Sequence, residues 1–511
     1  MTSLKFFGGV NDYEHGELGG VQLLIQDAKG IILLDIGQRP DHSNRYYSFP
    51  YRPKTYNFLS TLETLQLYPN LPGLFRYDYE AHRNQSTLPQ PIDGILITHP
   101  HYDHVGGLTL VRADLPVYMH PDAKKILYLW QYTSGRTINQ FIDLYDQFTR
   151  VLNNQGKERF LKDEEAIIPR DIRLFQQDPF KISELQVTPF PVDHSTPGSN
   201  GFIIETSAGK IGISGDLRLR GRFPERTEAF VEALEKADLS YLIWEGSLLH
   251  FEHQGTEADV KEITKELMKD RSLVMIAYPP RDFDRITSLY EAAKSQKRML
   301  LVSPSQALGL KLFNGAHGYP RLDWKYIGVY VPKKRKGLID ENFPEHLIEQ
   351  DYFEWEQRFL DLHWQSHQSK LQRPSIKDIK DNQDQFLVYM PFNQLQDFLE
   401  GIKPDQKSRY IRSHPAPWTQ EMELQESQLI EVLKAHGIYE GPQKDSLNTE
   451  TRRLHQVHIT GHLNRRETRD LLRRIKCPII PYHCMNPQDF VTDVASHTRV
   501  IATKRLEELF L

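Results

Sequence analysis

Residues 93–108 read DGILITHPHYDHVGGL, and from His99 to His104 six consecutive positions hold three imidazoles and a carboxylate. The preceding Ile95-Leu96-Ile97 is a short apolar run after a glycine, the pattern of a buried strand. Gly106 and Gly107 permit close backbone approach behind the cluster. The histidines are therefore expected in a loop at a strand's carboxyl end, where a helix begins. In an extended loop His99 and His101 project to the same side and can share one ion, while Asp103 and His104 turn toward another. Imidazole and carboxylate together suit zinc or manganese. A pair of such ions about 3.5 to 4 Å apart activates a water and steadies both attacking and leaving oxygens. Closed structural zinc sites rely on cysteine. Cys477 and Cys484 are the only two cysteines, too few for a disulfide framework or a four-cysteine site. Any metal must be held by His and carboxylates.

The rest of the composition sets bounds. A chain of 511 residues is too long for one ordinary core, and 39% hydrophobic with 26% charged residues is the balance of a folded protein. No stretch approaches about 20 apolar residues, and the N-terminus lacks a basic flank before an apolar run, so a cytoplasmic, unanchored protein with no membrane partner is expected. A net charge of -5 argues against indiscriminate phosphate binding. Local basic groups remain: Thr451 to Lys476, where histidines are interleaved, "KKRKG" from Lys333, and "RLRGR" from Arg218.

Along the chain, "GVQLLIQD" and "GIILLDIG" read as paired strands joined by a tight turn. The aromatic segment from Arg39 to Gln90 reads as a packed lid more than as base-stacking platforms. A mostly helical insertion is expected from Asp122 to about Asn154, followed by strands at "LQVTPFPVDH", "NGFIIETSAG", "KIGISGD" and "DLSYLIWEGS". Helices and strands then alternate. Thr256-Glu257-Ala258-Asp259 has the form of a capping box, and "VMIAYPPRDFDRITSLYEAAKSQKRMLLV" has that of a parallel β-α-β unit. "FLVYM", the helical "ESQLIEVLKAHG" with Gly437 as C-cap, "QVHITGH", an Arg-rich helix and "CPIIPYH" complete the pattern.

THPHYDHVGG resembles the His-x-His-x-Asp-His signature of the metallo-β-lactamase superfamily, and the other family motifs follow in order. Asp35 in "LLDIG" resembles the first motif, whose carboxylate orients a ligand histidine. His194 in "PVDHSTPG" resembles the third, a further ligand of the first metal, and Asp216 in "GISGDLRLRG" the fourth, a carboxylate bridging both ions. Glu245 in "LIWEGS", the pattern "HITGH" from His458 to His462, and His483 in "IIPYH" resemble motifs A, B and C of the β-CASP nucleases, which include RNase J and the metallo-nuclease of mRNA 3′-end processing. The chain departs from the RNase J pattern at Thr460, Leu463 and Cys484.

The resemblance implies an α/β fold, a metallo-β-lactamase αββα sandwich at residues 1–246 and 453–511 with an inserted α/β β-CASP domain at 247–452. It implies two divalent metals, zinc first and manganese as the other choice, held by His99, His101, Asp103, His104, His194, Asp216 and His483. Asp103, Glu245 and His462 would be catalytic. Ser195, His458, Thr460 and His462 would lie near phosphates in a cleft between the domains. The expected function is hydrolysis of single-stranded RNA, endo or exo, by water activated between two metals. A histidine at the position of His483 is what RNA-cleaving relatives have. Hydrolysis of another small ester or phosphate, DNA cleavage, and an inactive RNA-processing scaffold are the alternatives.

Overall fold

The computed structural model describes residues 1–10, 20–38, 46, 58–81, 88–134, 139–145, 147–163, 167–249, 255–332, 352–364, 372–417, 419–447, 450–484, 487, 490–491 and 498–511. Most of the aromatic segment between 39 and 57, the KKRKG cluster and the residues Met485-Asn486 lie outside them. The chain forms two compact units: Met1–Leu219, Phe223–Glu252 and Gly461–Leu511 make one, Arg220–Arg222 and His253–Thr460 the other. Among the described residues no helix is long and apolar enough to cross a membrane.

The first unit is built from two sheets. One has seven strands in the order Ile172–Leu174, Val117–Met119, Gly94–Leu96, Gly30–Leu34, Gln22–Asp27, Ser3–Gly8 and Glu508–Phe510. The other has six: Phe180–Ile182, Leu185–Pro191, Asn200–Thr206, Gly209–Ile213, Leu239–Gly246 and Ile479–Cys484. Period-two side-chain alternation assigns each residue to a layer. Leu23, Ile25, Ile32 and Leu34 join Phe202, Ile204, Ile213, Ile243 and Ile480 in the core between the sheets. Their neighbours Leu24 and Leu33 face outward, packing with Leu59, Leu62, Ala123 and Leu127 of the helices Phe58–Thr64 and Pro121–Thr133. On the far side Ile203, Leu242 and Trp244 meet Phe230 and Leu234 of the helix Pro224–Lys236, and Leu471 and Leu472 of the helix Arg465–Leu472. The result is a helix-sheet-sheet-helix sandwich. Both sheets bury two faces, which is why their strands read as apolar runs.

The expected helical insertion is corrected. Its helix ends at Thr133, and residues 147–163 form a hairpin, Gln147–Leu152 against Glu158–Asp163. The turn chemistry outweighs helix propensity here. Asn153 Oδ1 accepts from the backbone N–H of Gln155 and Lys157 at 2.9 Å each, and Gly156 adopts φ 69°.

The second unit carries a six-stranded parallel sheet in the order Ile327–Val329, Met299–Val302, Phe386–Tyr389, Val274–Ala277, Arg409–Arg412, His455–Gln456. The capping box forms: Thr256 Oγ1 accepts from Asp259 N–H at 3.3 Å, and Asp259 Oδ2 accepts from Thr256 N–H at 2.7 Å. The strands of the expected β-α-β unit, Val274–Ala277 and Met299–Val302, are not neighbours, because Phe386–Tyr389 enters between them. The return to the first unit comes at Gly461 and not at Arg453, since His455–Gln456 pairs with Ile411 and Arg412 as the sixth strand.

One buried ion pair holds the end of that strand. Arg285, fully buried, bonds Glu257 Oε1 through Nη2 at 2.8 Å, His458 Nδ1 through Nη1 at 3.3 Å and the Ile459 carbonyl through Nη2 at 3.3 Å. Arg285→Met removes the guanidinium that faces the buried Glu257 carboxylate. The expected loss is about 3–5 kcal/mol, read as a lowered denaturant midpoint.

Candidate metal centre

The residues singled out in the sequence lie at strand carboxyl ends along one edge of the first unit's sandwich. Asp35 follows Gly30–Leu34, His99 to His104 follow Gly94–Leu96, His194 follows Leu185–Pro191, and Asp216 follows Gly209–Ile213. Glu245 and His483 sit near the ends of Leu239–Gly246 and Ile479–Cys484. The backbones behind the site touch. A Cβ on Gly37 would fall 1.6 Å from the Asp103 carbonyl oxygen, so that position admits only glycine.

Three histidines form one group. His99 Nε2 lies 3.1 Å and His194 Nε2 3.0 Å from His101 Nδ1. The His194 ring is fixed from behind, its Nδ1–H donating to the Gly461 carbonyl at 2.6 Å, which turns the Nε2 lone pair inward. A neutral imidazole has one N–H and one lone pair, so three nitrogens facing one point cannot all satisfy one another. A tetrahedral ion with Zn–N of 2.0–2.1 Å holds its ligand nitrogens roughly 3.3 Å apart, close to the spacing found here. Burial pushes the pKa of His99 and His194 well below the ordinary imidazole value and that of His101 to about 4, which keeps these rings neutral and able to ligate.

The second group surrounds Asp216. His104 Nε2 lies 3.3 Å from Asp216 Oδ2, His483 Nδ1 3.1 Å from Asp216 Oδ1, and His483 Nε2 3.6 Å from Asp103 Oδ2. His99 Nε2 also approaches Asp216 Oδ2, at 3.6 Å, so this carboxylate stands between the two groups. His104 Nε2 is buried without a hydrogen bond, an orphaned ring nitrogen of the kind a cation satisfies. The donor set of imidazoles and carboxylates fits two divalent ions. Burial opposes ionisation of Asp216, but the surrounding His483 and His104 outweigh it and hold the carboxyl well below its usual range.

Asp35 orients His104. Its Oδ2 accepts from His104 Nδ1–H at 2.7 Å and from Thr98 Oγ1–H at 2.7 Å, while Oδ1 accepts from Thr98 N–H at 2.8 Å. This selects the tautomer that presents Nε2 to Asp216. Asp35 itself sits at φ 56°. The Asp35→Asn substitution is expected to weaken metal binding by about 10–100-fold, measured by competition against a chromophoric chelator.

His483 is placed by a backbone irregularity. Opposite it the parallel ladder slips, Glu245 pairing Tyr482 and Gly246 pairing Cys484, so His483 is the bulged residue, at φ 47°. Its backbone N–H donates to the Gly9 carbonyl, and Ser247 Oγ lies 3.1 Å from its Nδ1. A left-handed non-glycine residue costs energy and is held by its surroundings.

Beside this cluster Glu245 Oε1 meets His462 Nδ1 at 3.2 Å, and His462 Nδ1 lies 3.8 Å from Asp216 Oδ2. Burial disfavours a charged His462, yet Glu245 and Asp216 raise its pKa to about 9. Ser195 Oγ is 3.4 Å from His101 Nε2. His458 and Thr460 belong to the second unit, where His458 takes the Arg285 bond and Thr460 is buried.

Sequence reasoning passed over three supporting groups. Thr98 and Ser247 fix Asp35 and His483, and only their place next to motif residues signals it. Arg218, read as part of a basic cluster, is wholly buried, its Nε 3.4 Å from Asp193 Oδ1 and its Nη2 3.4 Å from the His194 carbonyl. It braces the loop that carries His194.

The metallo-beta-lactamase superfamily matches residues 74–277. No curated protein matches the chain. Among solved structures, a protein of unknown function from Enterococcus faecalis V583 aligns over 100% of both chains with TM-score 0.66 and 17% identity, a likeness of fold. The metallo-beta-lactamase fold protein YhfI from Bacillus subtilis aligns over 48% of this chain and 72% of its own, with TM-score 0.26 and 13% identity. A diphosphatase from the PhnP family aligns over 54% and 85%, with TM-score 0.27 and 15% identity. The match to the metallo-β-lactamase superfamily thus lies within residues 74–277, and the clustered His and Asp residues make a potential dinuclear metal site consistent with metallo-hydrolase chemistry.

Proposed function

We propose that the protein is a metal-dependent ribonuclease of the β-CASP type, hydrolysing phosphodiester bonds of single-stranded RNA. The observation that carries this reading is the Glu245–His462 pair, 3.2 Å apart, set beside the carboxylate of Asp216. An imidazolium held by a buried carboxylate at the rim of a metal cluster suits a phosphate centre, where negative charge builds on the oxygens and a leaving oxygen needs a proton. The resemblance of Glu245, His458 to His462 and His483 to β-CASP motifs A, B and C supports the same class, with the unit His253–Thr460 as the inserted domain.

In this reading His99, His101 and His194 would hold one ion, Asp103, His104 and His483 the other, with Asp216 shared between them. Bound there, two divalent ions supply Lewis acidity and lower the pKa of water. The remaining work falls to the chain. Asp35, the Gly461 carbonyl and Ser247 keep the ligand rings turned, and Arg218 braces the His194 loop. Glu245 holds His462 by its Nδ1–H, leaving Nε2–H as the proton that stabilises a phosphoryl oxygen or passes to the departing one. Ser195, beside His101, is assigned to phosphate contact.

The test is cleavage of end-labelled RNA carrying a 5′-monophosphate, beside matched DNA, by protein loaded with zinc or manganese. Metal-dependent cleavage of RNA over DNA supports the proposal, and mononucleotides against discrete fragments separate exo from endo action. Failure to cut either polymer with any metal, alongside turnover of a small phosphate or ester substrate, would place the activity in another hydrolase class.

A further inference from the structure

The arginines around the helix Arg465–Leu472 sort into two sets. Arg465 Nε donates to the Leu249 carbonyl at 2.8 Å, and Arg474 bonds Glu228 and Glu235 at 2.8 Å each. These two anchor the segment to its own unit, with Thr468, Leu471 and Leu472 facing the core. Arg466 and Arg473 turn outward instead, with side chains 74% and 50% exposed, and Arg469 between them is 37% exposed with its Nε buried. All their ion pairs among the described residues run to one carboxylate, Asp470, at 3.7, 3.9 and 3.5 Å. Three guanidinium groups share one negative charge.

Spacing makes this a ridge. Residues three, four and seven apart lie on one helix face, so Arg466, Arg469 and Arg473 form a stripe of about 10 Å. Its start is tied to the metal centre by the chain. Asn464, two residues beyond His462, caps the helix, its Oδ1 accepting from Glu467 N–H at 2.9 Å and its backbone pairing with Leu248. Guanidinium groups are matched to phosphate by their fork of donors, and a linear stripe of them that begins four residues after His462 matches a phosphate backbone in charge and shape.

We infer that the Arg466–Arg469–Arg473 ridge is a docking track for the phosphates of single-stranded RNA, next to the residue that faces the scissile bond. This rests on the ribonuclease reading. The ridge acts on affinity and not on the bond-breaking step, because its side chains read backbone charge without touching the metal ligands.

The experiment compares the full chain with R466Q/R469Q/R473Q. Anisotropy of an end-labelled oligouridylate is recorded over a salt series in EDTA, and hydrolysis of RNA and of bis(4-nitrophenyl) phosphate is measured on metal-loaded samples. The expected result is a fall of about 2 in the slope of log affinity against log salt and roughly tenfold weaker binding at low salt in the triple variant. Turnover of the small diester stays unchanged. Equal slopes and affinities in a wild type that cuts RNA overturn the ridge alone. A wild type that neither binds nor cuts RNA overturns both proposals, and a ridge that holds heparin but not the oligouridylate overturns the assignment to RNA.

Discussion

Replacing His462 by alanine is expected to lower kcat for phosphodiester hydrolysis by about 10²–10⁴-fold while metal content stays at the wild-type level. The separation follows from position. His462 Nδ1 is engaged by Glu245 at 3.2 Å and stands 3.8 Å from Asp216, so its ring borders the cluster and is bound to a carboxylate of its own. Removing it takes away the proposed proton donor and leaves His99, His101, His194, His104 and His483 in place. Glu245→Gln is expected to move in the same direction by less, because the amide oxygen still accepts from the ring's Nδ1–H while the charge that favours the protonated ring is lost. Single-turnover cleavage together with metal analysis reads both effects. Loss of metal along with activity in His462→Ala would assign this histidine to the ligand set instead.

Asp216→Asn has the opposite signature. One carboxylate faces His99, His104 and His483 within 3.6 Å, and an amide could not supply the negative charge that two cations held beside it would require. Bound metal is expected to fall from about two ions per chain to about one or fewer, with activity falling to background. Elemental analysis after gel filtration checks this. The loss reaches stability too. Metal that binds only the folded chain adds about 2.7 kcal/mol at a hundredfold excess over its Kd, so added zinc is expected to raise the melting temperature of wild type well above any rise seen in Asp216→Asn.

What the sequence disclosed follows a physical division. The continuous apolar runs in QLLIQD and GIILL exposed the strands, because each buries one side chain in the central core and the next under a helix. The His99 to His104 cluster stood out since little besides cation binding gathers so many imidazoles. Three features were hidden because they are set by distant partners. The pairing of His455–Gln456 with the second unit's sheet depends on a strand more than 40 residues earlier. The place of Phe386–Tyr389 between the two strands of the β-α-β unit is a matter of sheet order, to which local pattern is blind. Arg218 looked like surface charge because its partner Asp193 is remote in sequence. The hairpin at 147–163 was legible in principle, since its Asn-Asn-Gln-Gly turn is written in the chain.

The ligands are also distributed in time. His99, His101 and His194 precede the second unit in the chain, whereas His483 follows it, about 290 residues beyond His194. At synthesis rates of roughly 5–20 residues per second, that stretch takes about 15–60 s to emerge from the ribosome. For this interval His194 lacks the Gly461 carbonyl that turns its ring, the group around Asp216 lacks His483, and the sheet that carries Asp216 and Glu245 lacks its edge strand Ile479–Cys484. Both groups therefore reach their final geometry only after the inserted unit has been made and the last strand has docked.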